Sequence, residues 1–130
     1  MKSVAVKFIS AEVSAYNARD EHLEIRVLLN DGKEKALVKQ LRLEQPMQQA
    51  DEIFKEIREK LKKAHASSSF GDDPLSGLVH IRWMQDEELV LERLAKFLAA
   101  LNEKIRNAKR KGLSYYDLER QMLSARIGFD

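Results

Sequence analysis

Apolar residues alternate with polar ones in the first third of the chain and recur at helical spacing afterwards. Val4, Val6 and Phe8 alternate with Ala5 and Lys7, and Leu23, Ile25, Val27 and Leu29 alternate with Glu24, Arg26 and Leu28. A period of two marks β-strands with one covered face. The alternation breaks between Ile9 and Val13, which predicts a bulge or bend there. Asn30-Asp31-Gly32-Lys33 predicts a two-residue hairpin turn, because Asp31 and Gly32 tolerate the positive φ of a type I′ turn. That register sets Val27 opposite Ala36 and Ile25 opposite Val38. Lys35 and Lys39 then fall on the outer face with Arg26, Leu28 and Leu37, a half-apolar candidate interface.

Pro46 opens the first helix, over residues 46–66. Ala50, Ile53, Ile57, Leu61 and Ala64 line one side of it, and the rest is charged. Residues 67–77 are rich in turn formers and predict a mobile loop. A short strand over 78–84 follows, in which Val79, Ile81 and Trp83 alternate with His80 and Arg82. Residues 86–111 make a second amphipathic helix, with Gly112 placed for a left-handed cap. Ser114 and Asp117 form a capping-box pattern for a third helix, over 114–125. Ile127 and Phe129 lie in a tail able to dock or fray. The expected fold is α+β: an antiparallel meander of three strands and a short fourth, covered on one face by two long helices and a short C-terminal one.

Length and composition fit this picture. A chain of 130 residues, 44% hydrophobic and 34% charged, suits one domain with one core. No apolar run reaches the ~18–20 residues of a membrane span, and the first residues, Met1 to Lys7, do not read as a signal sequence. A soluble, cytoplasmic domain is the expectation, with no membrane partner. The absence of cysteine excludes disulfides, thiol catalysis and Cys-ligated metal.

The net charge of +2 does not itself point to a polyanion, but its layout is uneven. Residues 67–92 carry a balance of −5 and residues 93–112 one of +6. Acids at the start and bases at the end of the second helix suit its macrodipole. Arg93, Lys96, Lys104 and Lys111 also fall within about 80° on a helical wheel, with Arg106, Lys109 and Arg110 around the end. Such a stripe is a candidate phosphate contact, for which Tyr115, Tyr116 and Trp83 are the available stacking platforms.

Catalytic patterns are weak. His22, His65 and His80 form no HxxxH, HxH or HExxH motif, and no metal site is expected from them with Asp72, Asp73 or Asp86. His65 beside Ser67, Ser68 and Ser69 lacks a nucleophile elbow, and no glycine-rich phosphate loop exists. The order of elements is shared with the start of the ribonuclease-H-like fold, whose enzymes hold divalent metal on clustered acids. Glu52, Glu56 and Asp86 are acids available for that role. However, the first strand's core, Val4 to Ile9, has none, and Glu12 lies past it. The reading is a non-enzymatic interaction module without cofactor, acting by protein–protein contact or self-association, with nucleic-acid binding through the basic stripe as the alternative.

Overall fold

The computed structural model describes residues 2–66 and 78–130. The predicted loop over 67–77 lies outside them, as do Asp72, Asp73 and the three serines. The elements are β1 (Lys2–Asn17), β2 (His22–Asn30), β3 (Glu34–Leu41), α1 (Pro46–His65), β4 (Val79–Trp83), α2 (Glu87–Lys111), α3 (Tyr115–Leu123) and β5 (Arg126–Gly128).

The fold is α+β, but the sheet is mixed rather than a purely antiparallel meander. Its order is β3-β2-β1-β4, with β5 also on β1. β1 pairs antiparallel with β2. Along its other edge, Lys2 to Val6 pair in parallel with β4, and Ser10 to Glu12 pair antiparallel with β5. The helix α1 carries the chain from β3 back across the sheet, which is what makes a parallel neighbour possible. Between β4 and β5 a side chain completes the ladder. The Phe8 N–H donates to Gln85 Oε1 at 2.9 Å, and Gln85 Nε2 donates to the Phe8 carbonyl at 2.7 Å.

β1 is longer than its alternation implies because register shifts fall between Phe8 and Ser10 and between Val13 and Ala15. An extra residue on one strand of a pair exchanges the two faces for everything beyond it. The buried residues are therefore Val4, Val6 and Phe8, then Ala11 and Val13, then Tyr16. The expected bulge is present, and a second one follows.

The hairpin between β2 and β3 differs from expectation by one residue. Asn30 pairs with Glu34, so the turn has three residues, with Gly32 at φ +117°. Val27 then faces Leu37 and Ile25 faces Lys39. A one-residue slip moves every β3 side chain to the opposite face.

Helix boundaries follow local chemistry. The Asp86 side chain accepts from the Glu88 and Leu89 N–H groups, and Gly112 closes α2 in the left-handed conformation. Ser114 accepts from the Asp117 N–H. At the start of α1, where no N-cap side chain bonds, Gln49 Oε1 accepts from the Glu44 and Gln45 N–H groups. The tail docks: Arg126–Gly128 forms β5, and Phe129 is buried.

Helices and sheet share one buried cluster, in which Phe8 lies against Phe54, Trp83 and Phe129. Ala5, Lys7, Glu12, Arg26 and Leu28 belong to the opposite sheet face and stand outside that cluster. Among the described residues, no helix covers that face.

Candidate functional site

The residues expected to share the outer face divide between the two faces. Arg26 and Leu28 are on it. Lys35, Leu37 and Lys39 lie on the helix side, because the three-residue turn shifts β3 by one position. Leu37 packs against the core, Lys39 reaches Glu56 of α1 at 2.7 Å, and Lys35 reaches Asp31 at 2.6 Å. Ala36 and Val38 take their places outside, opposite Leu28 and Arg26. The face is thus a half-buried Leu28 with Ala36 and a 41% exposed Val38, flanked by an Arg26–Glu12 pair at 3.1 Å. An exposed ion pair of this kind contributes little to stability.

Charge around α1 is largely settled within the fold. The hydrogen bond from Lys39, working against partial burial and helped by Lys60, holds the Glu56 carboxyl below its ordinary range. Arg58 reaches Glu87 at 2.8 Å and stacks over Phe54 and Trp83.

A second feature lies where the uncovered face meets a free strand edge. β2 stops pairing at Asn30, opposite Lys7, so β1 from Lys2 to Val6 has no neighbour on that side among the described residues. An open hollow of about 900 Å³ occupies this place, lined by Ser3, Ala5, Ile9, Asp31, His65 and Met84, among others. Asp31 is the hub of its wall. Its side chain is 1% exposed, and Oδ2 lies 2.6 Å from Lys35 Nζ and 2.5 Å from His65 Nε2. Burial pushes the Asp31 carboxyl up, but the hydrogen bonds from Lys35 and His65 outweigh it and hold the group below its usual value. Oδ1 has no partner. Lys2 Nζ donates to the His65 carbonyl at 3.2 Å, which ties β1 to the end of α1. Sequence reasoning assigned Asp31 to a turn and His65 to the edge of a helix, and nothing in their 34-residue separation signals the pair.

The basic stripe of α2 is partly occupied. Arg93 donates to the carbonyls of Gly128 and Asp130 and so holds the tail. Lys96 pairs with Glu92, Arg106 with Glu103, and Lys109 with Glu21, whose carboxyl that hydrogen bond lowers. Lys104, Arg110 and Lys111 make no ion pair among the described residues. Trp83 belongs to the aromatic cluster and offers no stacking platform. Tyr115 and Tyr116 do: they are 56% and 66% exposed, with Arg19 6.0 Å from the first ring's centroid and Arg120 5.7 Å from the second's.

The acids considered for a metal have other occupations. Glu12 pairs with Arg26, Glu52 accepts from Gln48, Glu56 holds two lysines, and Asp86 caps α2. Among the described residues, no three His, Asp or Glu side chains converge on a metal-sized site. No helix is long and apolar enough to cross a membrane.

No protein-family model, curated protein or solved structure matches this chain.

Proposed function

We propose that this protein is a non-catalytic binding module that acts by protein–protein contact through the uncovered face of its sheet. The observation that supports this is the one-sided packing. Three helices bury one face, while the other keeps Leu28, Ala36 and Val38 between charged groups. An interface needs an apolar centre with a polar rim, and this face has both. The partner is a second copy of the chain or a different protein.

A photo-crosslinking amino acid placed at Val38 tests the reading in living cells. It should give a discrete adduct, at twice 15.0 kDa if the partner is a second copy and at another mass if it is foreign. The same group at exposed Glu59 on α1 should give none. Adding Leu28→Glu should reduce the Val38 adduct at least about tenfold, since a buried unpaired charge at an interface centre costs well over 1.4 kcal/mol. Equal adducts from both positions, or none from Val38, would refute the proposal.

The exposed tyrosines favour a second reading, single-stranded nucleic acid held at the α2–α3 corner. There, Arg110 and Lys111 would contact phosphates, and Tyr115 and Tyr116 would stack on bases. Binding of a fluorescent oligonucleotide should fall steeply with salt, and Lys104→Glu with Lys111→Glu should weaken it at least about tenfold at low salt. An unchanged affinity in that variant removes this reading.

A further inference from the structure

We infer that the edge of β1 between Lys2 and Val6, unpaired among the described residues, is a peptide-binding site, which takes an extended segment of a partner protein as an added strand. The Val6 carbonyl accepts from the Met84 N–H on the β4 side. Backbone groups alternate direction along a strand, so the N–H and C=O of Ser3 and Ala5 face the other way. On that side they meet the hollow, and β2 does not reach them.

The geometry selects the occupant. Two residues with outward donors and acceptors, spaced two apart, match the main chain of an extended peptide, as in other cases of strand addition to a sheet edge. A segment antiparallel to β1 would continue the line of β2 past Asn30. The available length, five residues of β1, corresponds to roughly 17 Å. The volume of about 900 Å³ is that of a substantial ligand site.

Side-chain preference comes from the wall. Asp31 and Lys35 already satisfy each other's charge, so no charged group is called for in the peptide. Ala5 and Ile9 line the same hollow and suit small apolar neighbours along the peptide.

This site deepens the reading of the protein as a binding module and fails separately from it. The probe is a pool of displayed random ten-residue peptides, selected on the full chain. Selected peptides should share an extended pattern of β-branched and small apolar residues. When one is bound, amide exchange at Ser3 and Ala5 should slow by tenfold or more. Ala5→Pro removes an N–H that faces the hollow, a place where an edge strand tolerates proline. It should weaken the peptide at least tenfold. Should that variant unfold, the exchange measurement on the unaltered chain still decides. Peptides that bind and instead protect residues around Leu28 and Val38 would overturn the edge site while leaving the uncovered face as the interface. A selection that enriches no peptide would overturn the edge site as well, and the Val38 adduct would then judge the face alone.

Discussion

Phe8→Ala should lower the stability of the protein by about 3–5 kcal/mol. Its ring is 1% exposed and lies 5.5 Å from Phe54, 5.0 Å from Trp83 and 5.5 Å from Phe129, centroid to centroid. Three elements therefore meet on one side chain: α1 through Phe54, β4 through Trp83 and the C-terminal tail through Phe129. Truncation removes the apolar area and leaves a hole that three rigid rings cannot fill by small shifts. It also removes the ring–ring contacts, each worth roughly 0.5–1.5 kcal/mol beyond area. Against a total of ~5–15 kcal/mol for an ordinary domain, the loss is a large fraction. Urea unfolding followed by the fluorescence of Trp83, the only tryptophan, measures it directly. Tyr116→Ala, at a 66% exposed position, is the control and should change stability by less than about 0.5 kcal/mol. Comparable midpoints for the two variants would contradict the packing described.

Asp31→Asn should cost about 2–3 kcal/mol at neutral pH, and the penalty should disappear in acid. The carboxylate accepts from Lys35 and His65 while almost fully shielded, and hydrogen bonds to a charged group contribute ~1.5–3 kcal/mol. Its partners keep some water contact, at 21% and 20% exposure, which places the loss below that of a fully buried pair. The sign of the pH dependence follows from the lowered folded value. In the unfolded chain the group titrates near 3.8, and in the folded protein it titrates lower. Between those values the unfolded state binds more protons, so stability rises with pH there. The contribution is complete above 3.8 and fades as pH falls through the folded value. Urea midpoints of both proteins at pH 7, 4, 3 and 2 should converge at the acid end. A gap that persists unchanged to pH 2 would show that Asp31 acts through shape and not charge.

Local signals in the sequence translated well where one residue decides the outcome. Pro46, Asp86, Gly112 and Ser114 each stand at a helix end where backbone groups lack partners, and each acts there. The apolar arcs of α1 and α2 became the buried faces, except that Ala64 near the end of α1 is exposed. Misreadings arose where a single residue of offset changes the face. Asp31-Gly32 fits a two-residue turn, yet the strand pair closes with Lys33 also in the loop. That one position returned Leu37 to the core and brought Val38 outside. In β1 the bulges reverse the alternation twice, so Ala11 and Val13 look out of phase with Val4 although they share its face. Parallel pairing with β4, and the use of the tail as a strand, depend on contacts between distant segments, about which periodicity is silent. For the same reason the hollow beside Asp31 was illegible, since its lining comes from β1, the β2–β3 turn, the end of α1 and the residues after β4.

The first strand collects its neighbours from across the chain: Val4 pairs with Ile81, and Ala11 pairs with Ile127. Each such pairing closes a large loop before any of its contacts reward the closure. Topologies of this kind refold more slowly than helical bundles of equal size. Until β4 and β5 have been synthesised, one edge of this central strand therefore waits without the neighbours it has in the folded protein.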